Sequence, residues 1–181
     1  MWHALLRDSR FFELLTTADN DIADRARAEG CPCGGRLHRA DYPRKPRGGP
    51  PGLSPESEKR RSFCCALDGC RCRTTPPSLR FLGRRVYFGV VVVLVTVMAH
   101  GVTPRRAAEL RAQLGIDRRT LTRWRRWWQE HFPTSVLWRE HQPRFSPPVS
   151  ADRLPGALVD RFTPQGDPNG VVSLLRFLAP L

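Results

Sequence analysis

The sequence predicts a mostly α fold with a small β module of zinc-ribbon type and a helix-turn-helix. Three observations predict it. Six cysteines fall into two groups, Cys31/Cys33 and Cys64/Cys65/Cys70/Cys72. An uncharged apolar stretch occupies 86–103, and two helix-patterned segments follow it, divided by Gly115.

The first element, residues 1–30, is expected to be helical, with Leu5, Leu6, Phe11, Phe12, Leu14 and Leu15 on one face. Asp19 or Asn20 is expected to cap a second short helix reaching Arg27, and Gly30 to stop it. A module over 31–83 comes next. Cys31-Pro32-Cys33-Gly34-Gly35 predicts a tight turn, 36–40 a short strand, and 63–73 a strand–turn–strand around Asp68-Gly69. Between them, residues 43–57 hold five prolines and three glycines, so 43–60 is expected to be a disordered basic loop.

Residues 84–132 form the expected helix-turn-helix domain. The β-branched valines of 86–99 favour a strand, but a length of about fourteen residues and the need to cover the helices that follow favour a buried helix. Thr103 and Pro104 are good start signals for a helix to Leu114, whose inner face would be Ala107, Ala108, Leu110 and Leu114. Asp117 is expected to cap a second helix reaching about His131. At a hundred degrees per residue, Leu121, Trp124, Arg125 and Trp128 share one side of it, and Arg119, Thr122, Arg123 and Arg126 the other. Residues 133–181 are expected to be a proline-rich, irregular tail ending in a short apolar segment, 171–178.

Charge narrows the function. Thirty basic residues against seventeen acidic leave a formal charge of +13, beyond what solubility requires, and point to a polyanion. Residues 1–30 sum to −2, 31–85 to +9 and 104–131 to +5. Only Lys45 and Lys59 are lysines, and the guanidinium of the many arginines suits phosphate and guanine.

Two cysteine groups without an export signal disfavour disulfides and favour a structural metal in a reducing cytoplasm. Tetrahedral zinc takes four thiolates, two from each of two turns. Cys31, Cys33, Cys65 and Cys70 are the candidate ligands, with Cys64 and Cys72 as alternatives and His38 as an outside candidate. Such a site has no open position for a substrate water. Nucleic-acid contacts are assigned to Arg119, Thr122, Arg123 and Arg126 for bases or phosphate, and to Arg105, Arg106 and Arg118 for phosphate. Arg44, Lys45 and Arg47 of the basic loop are further phosphate candidates.

Cys31-Pro-Cys-Gly-Gly-Arg-Leu-His-Arg, Phe63-Cys-Cys, Gly69-Cys-Arg, Arg73-Thr-Thr-Pro-Pro-Ser and Arg80-Phe-Leu-Gly-Arg-Arg-Val-Tyr together resemble a small bacterial family. That family is similar to the detached DNA-binding front end of insertion-sequence transposases, with zinc ribbon and helix-turn-helix. The resemblance spans roughly 10–132. It implies double-stranded DNA as partner, at element ends or a regulatory site, alongside a separate recombinase or a second copy of the chain. It brings no active site, because Asp152, Asp160 and Asp167 lie in the tail without a folded core to bind two magnesium ions. No Ser/His/Asp set and no phosphate loop is legible, so a non-enzymatic binder is expected. A protein-interaction adaptor using the tryptophans and 171–178, and an RNA binder, are the competing classes. The apolar stretch is too short for a membrane span.

Overall fold

A computed structural model describes residues 2–100, 103–164 and 167–181, without the side chains of Arg106, Leu110 and Pro168. After a short helix, α1 (Trp2–Leu5), helix α2 (Ser9–Glu29) starts where Asp8 accepts the Arg10 N–H at 3.0 Å, and ends at Gly30. Its buried residues are Phe11, Phe12, Leu15, Thr16, Asp19 and Ala23, a stripe at helical spacing. The expected break at Asp19 or Asn20 is therefore corrected. Asp19 is no cap: it lies on the inward stripe, and a partner charge awaits it there.

That partner is Arg80. Its side chain is 0% exposed and that of Asp19 1%, and Nε donates to Asp19 Oδ2 at 2.7 Å. Nη1 and Nη2 of Arg80 donate to the carbonyls of Glu56 (2.8 Å) and Lys59 (3.0 Å). Asp19 also accepts the Leu79 N–H at 2.6 Å and the Ser78 hydroxyl. Every strong polar group of the pair thus has a partner, the condition under which buried charge is tolerated. Beside it, Arg61 donates to Asn20 (2.8 Å), Asp41 (2.8 Å) and Glu56 (2.9 Å).

Strands β1 (Leu37–Arg39), β4 (Phe63–Cys65) and β5 (Arg73–Thr74) form an antiparallel sheet in the order β1-β4-β5. A second pair joins β2 (Tyr42–Pro43) to β3 (Lys59–Arg60). The loop expected to be disordered over 43–60 is instead built into the body. Arg44 N–H donates to the Glu58 carbonyl at 2.8 Å, Arg47 N–H to Val86 at 2.7 Å, and Phe88 N–H to Arg47 at 3.1 Å. A 3-10 turn, Pro55–Glu58, presents the carbonyl that Arg80 holds. Proline and glycine here shape turns whose backbone groups are satisfied by distant segments, which composition does not reveal.

Helix α3 (Gly89–Ala99) answers the strand-or-helix ambiguity of 86–99 as a helix. It is apolar all round because it is surrounded, packing against α4 (Pro104–Leu114), α5 (Arg118–Arg126) and α8 (Pro168–Leu178). Ala107 is buried on α4 and Leu114 half-buried, whereas Ala108, expected inside, is exposed. The turn to α5 uses Gly115 at φ 65°, a left-handed value that costs glycine little. Asp117 then caps α5 by accepting the Thr120 N–H at 2.7 Å. A π-helical turn, Trp127–His131, prolongs α5.

The tail differs from the expectation. Residues 133–181 form α6 (Val136–His141), α7 (Gly156–Phe162) and α8, and bury Trp138, Leu154, Leu158, Val159, Leu174, Leu175 and Leu178 in the main core. Prolines punctuate these helices rather than abolish them. Among the described residues no helix is long and apolar enough to cross a membrane.

Two cores result. The large one takes Phe12 and Leu15 of α2 together with α3, α5 and the C-terminal helices; the small one holds Ala23, Cys31, Leu37, Phe63 and Cys65. Packing crosses the expected boundaries at 30 and 83, since α2 contributes to both cores and Leu79 and Leu82 join the large one. We expect Asp19→Ala to lower stability by about 3–5 kcal/mol, since it strands a buried guanidinium. Urea unfolding measures this. Adding Arg80→Met should not restore the loss, because the Leu79 N–H and the Glu56 and Lys59 carbonyls stay without their partners.

Candidate metal centre and basic surface

Two turns converge on one point. The first follows α2: Cys31 N–H donates to the Gly35 carbonyl at 3.0 Å and Gly34 N–H to Cys31 at 2.8 Å. Gly35 is required by space, since a Cβ there would lie 2.5 Å from Cys65 Sγ. The second turn follows β4, where Cys70 N–H donates to Leu67 at 3.2 Å. Pairing of β1 with β4, Leu37 opposite Cys65, brings the turns together.

The sulfurs of Cys31, Cys33, Cys65 and Cys70 lie within 4.8 Å of one another. Cys31 and Cys70 are 3.8 Å apart and Cys33 and Cys65 3.5 Å. A disulfide would bring two sulfurs to about 2.05 Å. Tetrahedral bonds of about 2.3 Å to a central ion place sulfurs about 3.8 Å apart. The cluster therefore has the dimensions to hold a metal ion, on the four cysteines chosen from the sequence.

Strand alternation separates Cys65, which faces the small core, from Cys64, which is half-buried and approaches the Arg71 carbonyl at 3.5 Å. Cys72 is exposed and outside the cluster, as is His38. The Cys70 thiol is pulled down to about 6, first by the Cys72 backbone N–H and then by Cys33. Cys65 is pushed up to about 12: the Leu67 N–H favours its thiolate, but burial and the neighbouring thiols outweigh it. One thiol thus ionises readily while another resists ionisation, and a cation among them favours the thiolate form throughout.

The second feature is the outer side of α5. Arg118, Arg119, Thr122, Arg123 and Arg126 line one shallow concavity of about 460 Å³. Behind them Leu121, Trp124 and Trp128 are buried. Arg125 turns inward, donating to the Ala99 carbonyl, as the helical wheel requires. Arg126 is tied to Glu130 at 2.6 Å and Arg105 to Glu109 at 3.4 Å, both solvent-exposed pairs.

The other expected contacts are dispersed. The Arg106 side chain lies outside the described residues. Lys45 and Arg47 are exposed. Arg44 is half-buried, and its guanidinium clasps the chain by donating to the Arg85 carbonyl at 2.9 Å and to Gly83 at 3.4 Å. Sequence reasoning did not single out Arg84 and Arg85, which border a cavity beside α5, because in the sequence they stand only as part of the motif from Arg80 to Tyr87.

Comparison of the chain with protein-family models, with curated proteins and with solved structures found no match. The geometry predicts which cysteines matter for metal. Cys33→Ser or Cys70→Ser should lose at least half of the bound metal in elemental analysis of purified protein, whereas Cys64→Ala and Cys72→Ala should retain it in full.

Proposed function

We propose that this chain is a non-catalytic, zinc-containing DNA-binding protein that reads the major groove with α5 of a helix-turn-helix. The observation that carries the proposal is the outer side of α5: four arginines and a threonine share one solvent-facing concavity, backed by buried Leu121, Trp124 and Trp128. A helix so backed is held in a fixed orientation, and a duplex groove is wide enough to admit it. Arg119, Arg123 and Arg126 suit guanine edges or phosphate, Thr122 a base or phosphate, and Arg118 phosphate at the helix start. Exposed Arg105, Lys45 and Arg47 are further phosphate candidates away from this concavity.

Zinc is the ion favoured by four soft thiolates in tetrahedral array. Cys31, Cys33, Cys65 and Cys70 would hold it, leaving no position for a substrate. Its role would be structural, replacing the hydrophobic mass that the small core lacks. The finer assignment, an accessory factor or transcriptional regulator of a mobile element working in the cytoplasm on double-stranded DNA, follows from the motif resemblance to transposase front ends. The adaptor reading loses its main surface, because 171–178 packs inside this chain.

Selection from a random duplex library, followed by anisotropy titration at two salt concentrations, tests the proposal. The selected site should bind at least about a thousand-fold tighter than random duplex. Arg119→Ala and Arg123→Ala should each weaken it by roughly 5- to 150-fold, the loss of one bidentate base contact. Arg44→Ala should leave the salt slope unchanged while lowering thermal stability. Equal affinity for every duplex, unaffected by the α5 variants, would refute the reading.

A further inference from the structure

Next to the α5 concavity lies a second cavity, of about 580 Å³, bounded by the segment 84–87 on one side and by α5 with its π-helical turn on the other. Its size falls in the range of small-ligand sites. Its lining combines two chemistries. One wall is aromatic: Tyr87 meets Trp124 edge-on with centroids 5.0 Å apart, and Trp127 lies beyond. The other is cationic, made by Arg84, Arg85, Arg123 and Arg126, with His131 at the end and no carboxylate in the lining.

Arg85 is the unusual member. It stacks over Trp127 with its guanidinium carbon 3.7 Å from the ring centroid, and donates one bond, 3.3 Å long, to the Leu82 carbonyl. Among the described residues it makes no ion pair, and burial lowers its pKa to about 10. A half-buried cation without a counter-ion, in a cavity with no acid, is a place where a ligand supplies the negative charge. A simple phosphate would use the guanidinium groups and leave the aromatic wall idle. An apolar ligand would use the wall and leave the charges unmatched.

We propose that this cavity takes a nucleotide that has left the base-paired stack, its phosphate held by Arg84 and Arg85 and its base laid against Trp127 and Tyr87. Arg123 and Arg126 border both this cavity and the α5 concavity, so one strand can pass from groove to pocket without crossing neutral surface. The source of the nucleotide rests on the DNA-binding reading above; the pocket's chemistry does not. The protein would accordingly favour duplex with an unpaired end or a displaced base over continuous duplex.

The test compares a blunt duplex, the same duplex with a short single-stranded extension, and a free nucleoside monophosphate. The extension should tighten binding by about ten-fold, as one or more stacked bases would. Arg84→Ala, on an exposed side chain, and Trp127→Ala should each remove that preference while leaving blunt-duplex affinity within about three-fold. Circular dichroism confirms that the variants fold. Blunt binding with no preference for the extension would overturn the pocket and leave the duplex reader standing. Failure to bind any duplex, with tryptophan quenching by the monophosphate that Arg84→Ala abolishes, would remove the duplex reader and support the pocket. Neither binding nor quenching would overturn both, and a preference that survives in both variants would overturn the pocket alone.

Discussion

The ion pair between Asp19 and Arg80 is the contact on which the arrangement of the chain depends. It lies sixty-one residues deep in sequence separation and is almost wholly shielded from water. Bringing two charges out of water is costly, and a bare pair would return little of that cost. Here the remaining hydrogen-bonding capacity is directed at the backbone: Asp19 fixes Leu79, and Arg80 fixes Glu56 and Lys59. The pair therefore settles where three chain segments meet, which is a statement about geometry more than about net stability.

Its position explains how a small β module and a helical body share one framework. Helix α2 runs from one core to the other, with Phe12 and Leu15 on one side of the pair and Ala23 on the other. The small core has few apolar side chains, and its thiols stand where a larger domain would place more of them. Arg61, gripping Asn20, Asp41 and Glu56, repeats the device at the next residue of α2. The basic face of α5 is thereby mounted on a body that its own helix packs into through Leu121 and Trp124, rather than on a flexible arm.

How much of this was legible in the sequence depends on the range of the interaction. Local signals were readable: Asp117 as cap, Gly115 as turn, the β-hairpin around Asp68-Gly69, and the split between the buried and exposed sides of α5. Between Cys64 and Cys65 the sequence left the choice open, since alternation says that adjacent strand residues face opposite ways but not which of them faces the cluster; the fold places Cys65 there. Asp19 was not legible, because an acid followed by Asn20 and Asp21 looks like a cap, and nothing local distinguishes Arg80 from twenty-nine other basic residues. The loop 43–60 and the tail were misjudged for one reason. Proline and glycine were counted as breakers, when Pro55 and Pro168 sit at helix starts behind the caps Ser54 and Asp167. The candidate thiol cluster was thus readable from spacing, while Arg84 and Arg85 became visible only when the fold placed them beside Trp127.

If one buried pair joins the two cores, amide hydrogen exchange on Asp19→Asn should be faster on both sides of the pair, across 54–61 and 78–82 as well as the middle of α2, with α7 and α8 still protected. Exchange that accelerates only within a turn of residue 19, or not at all, would contradict it.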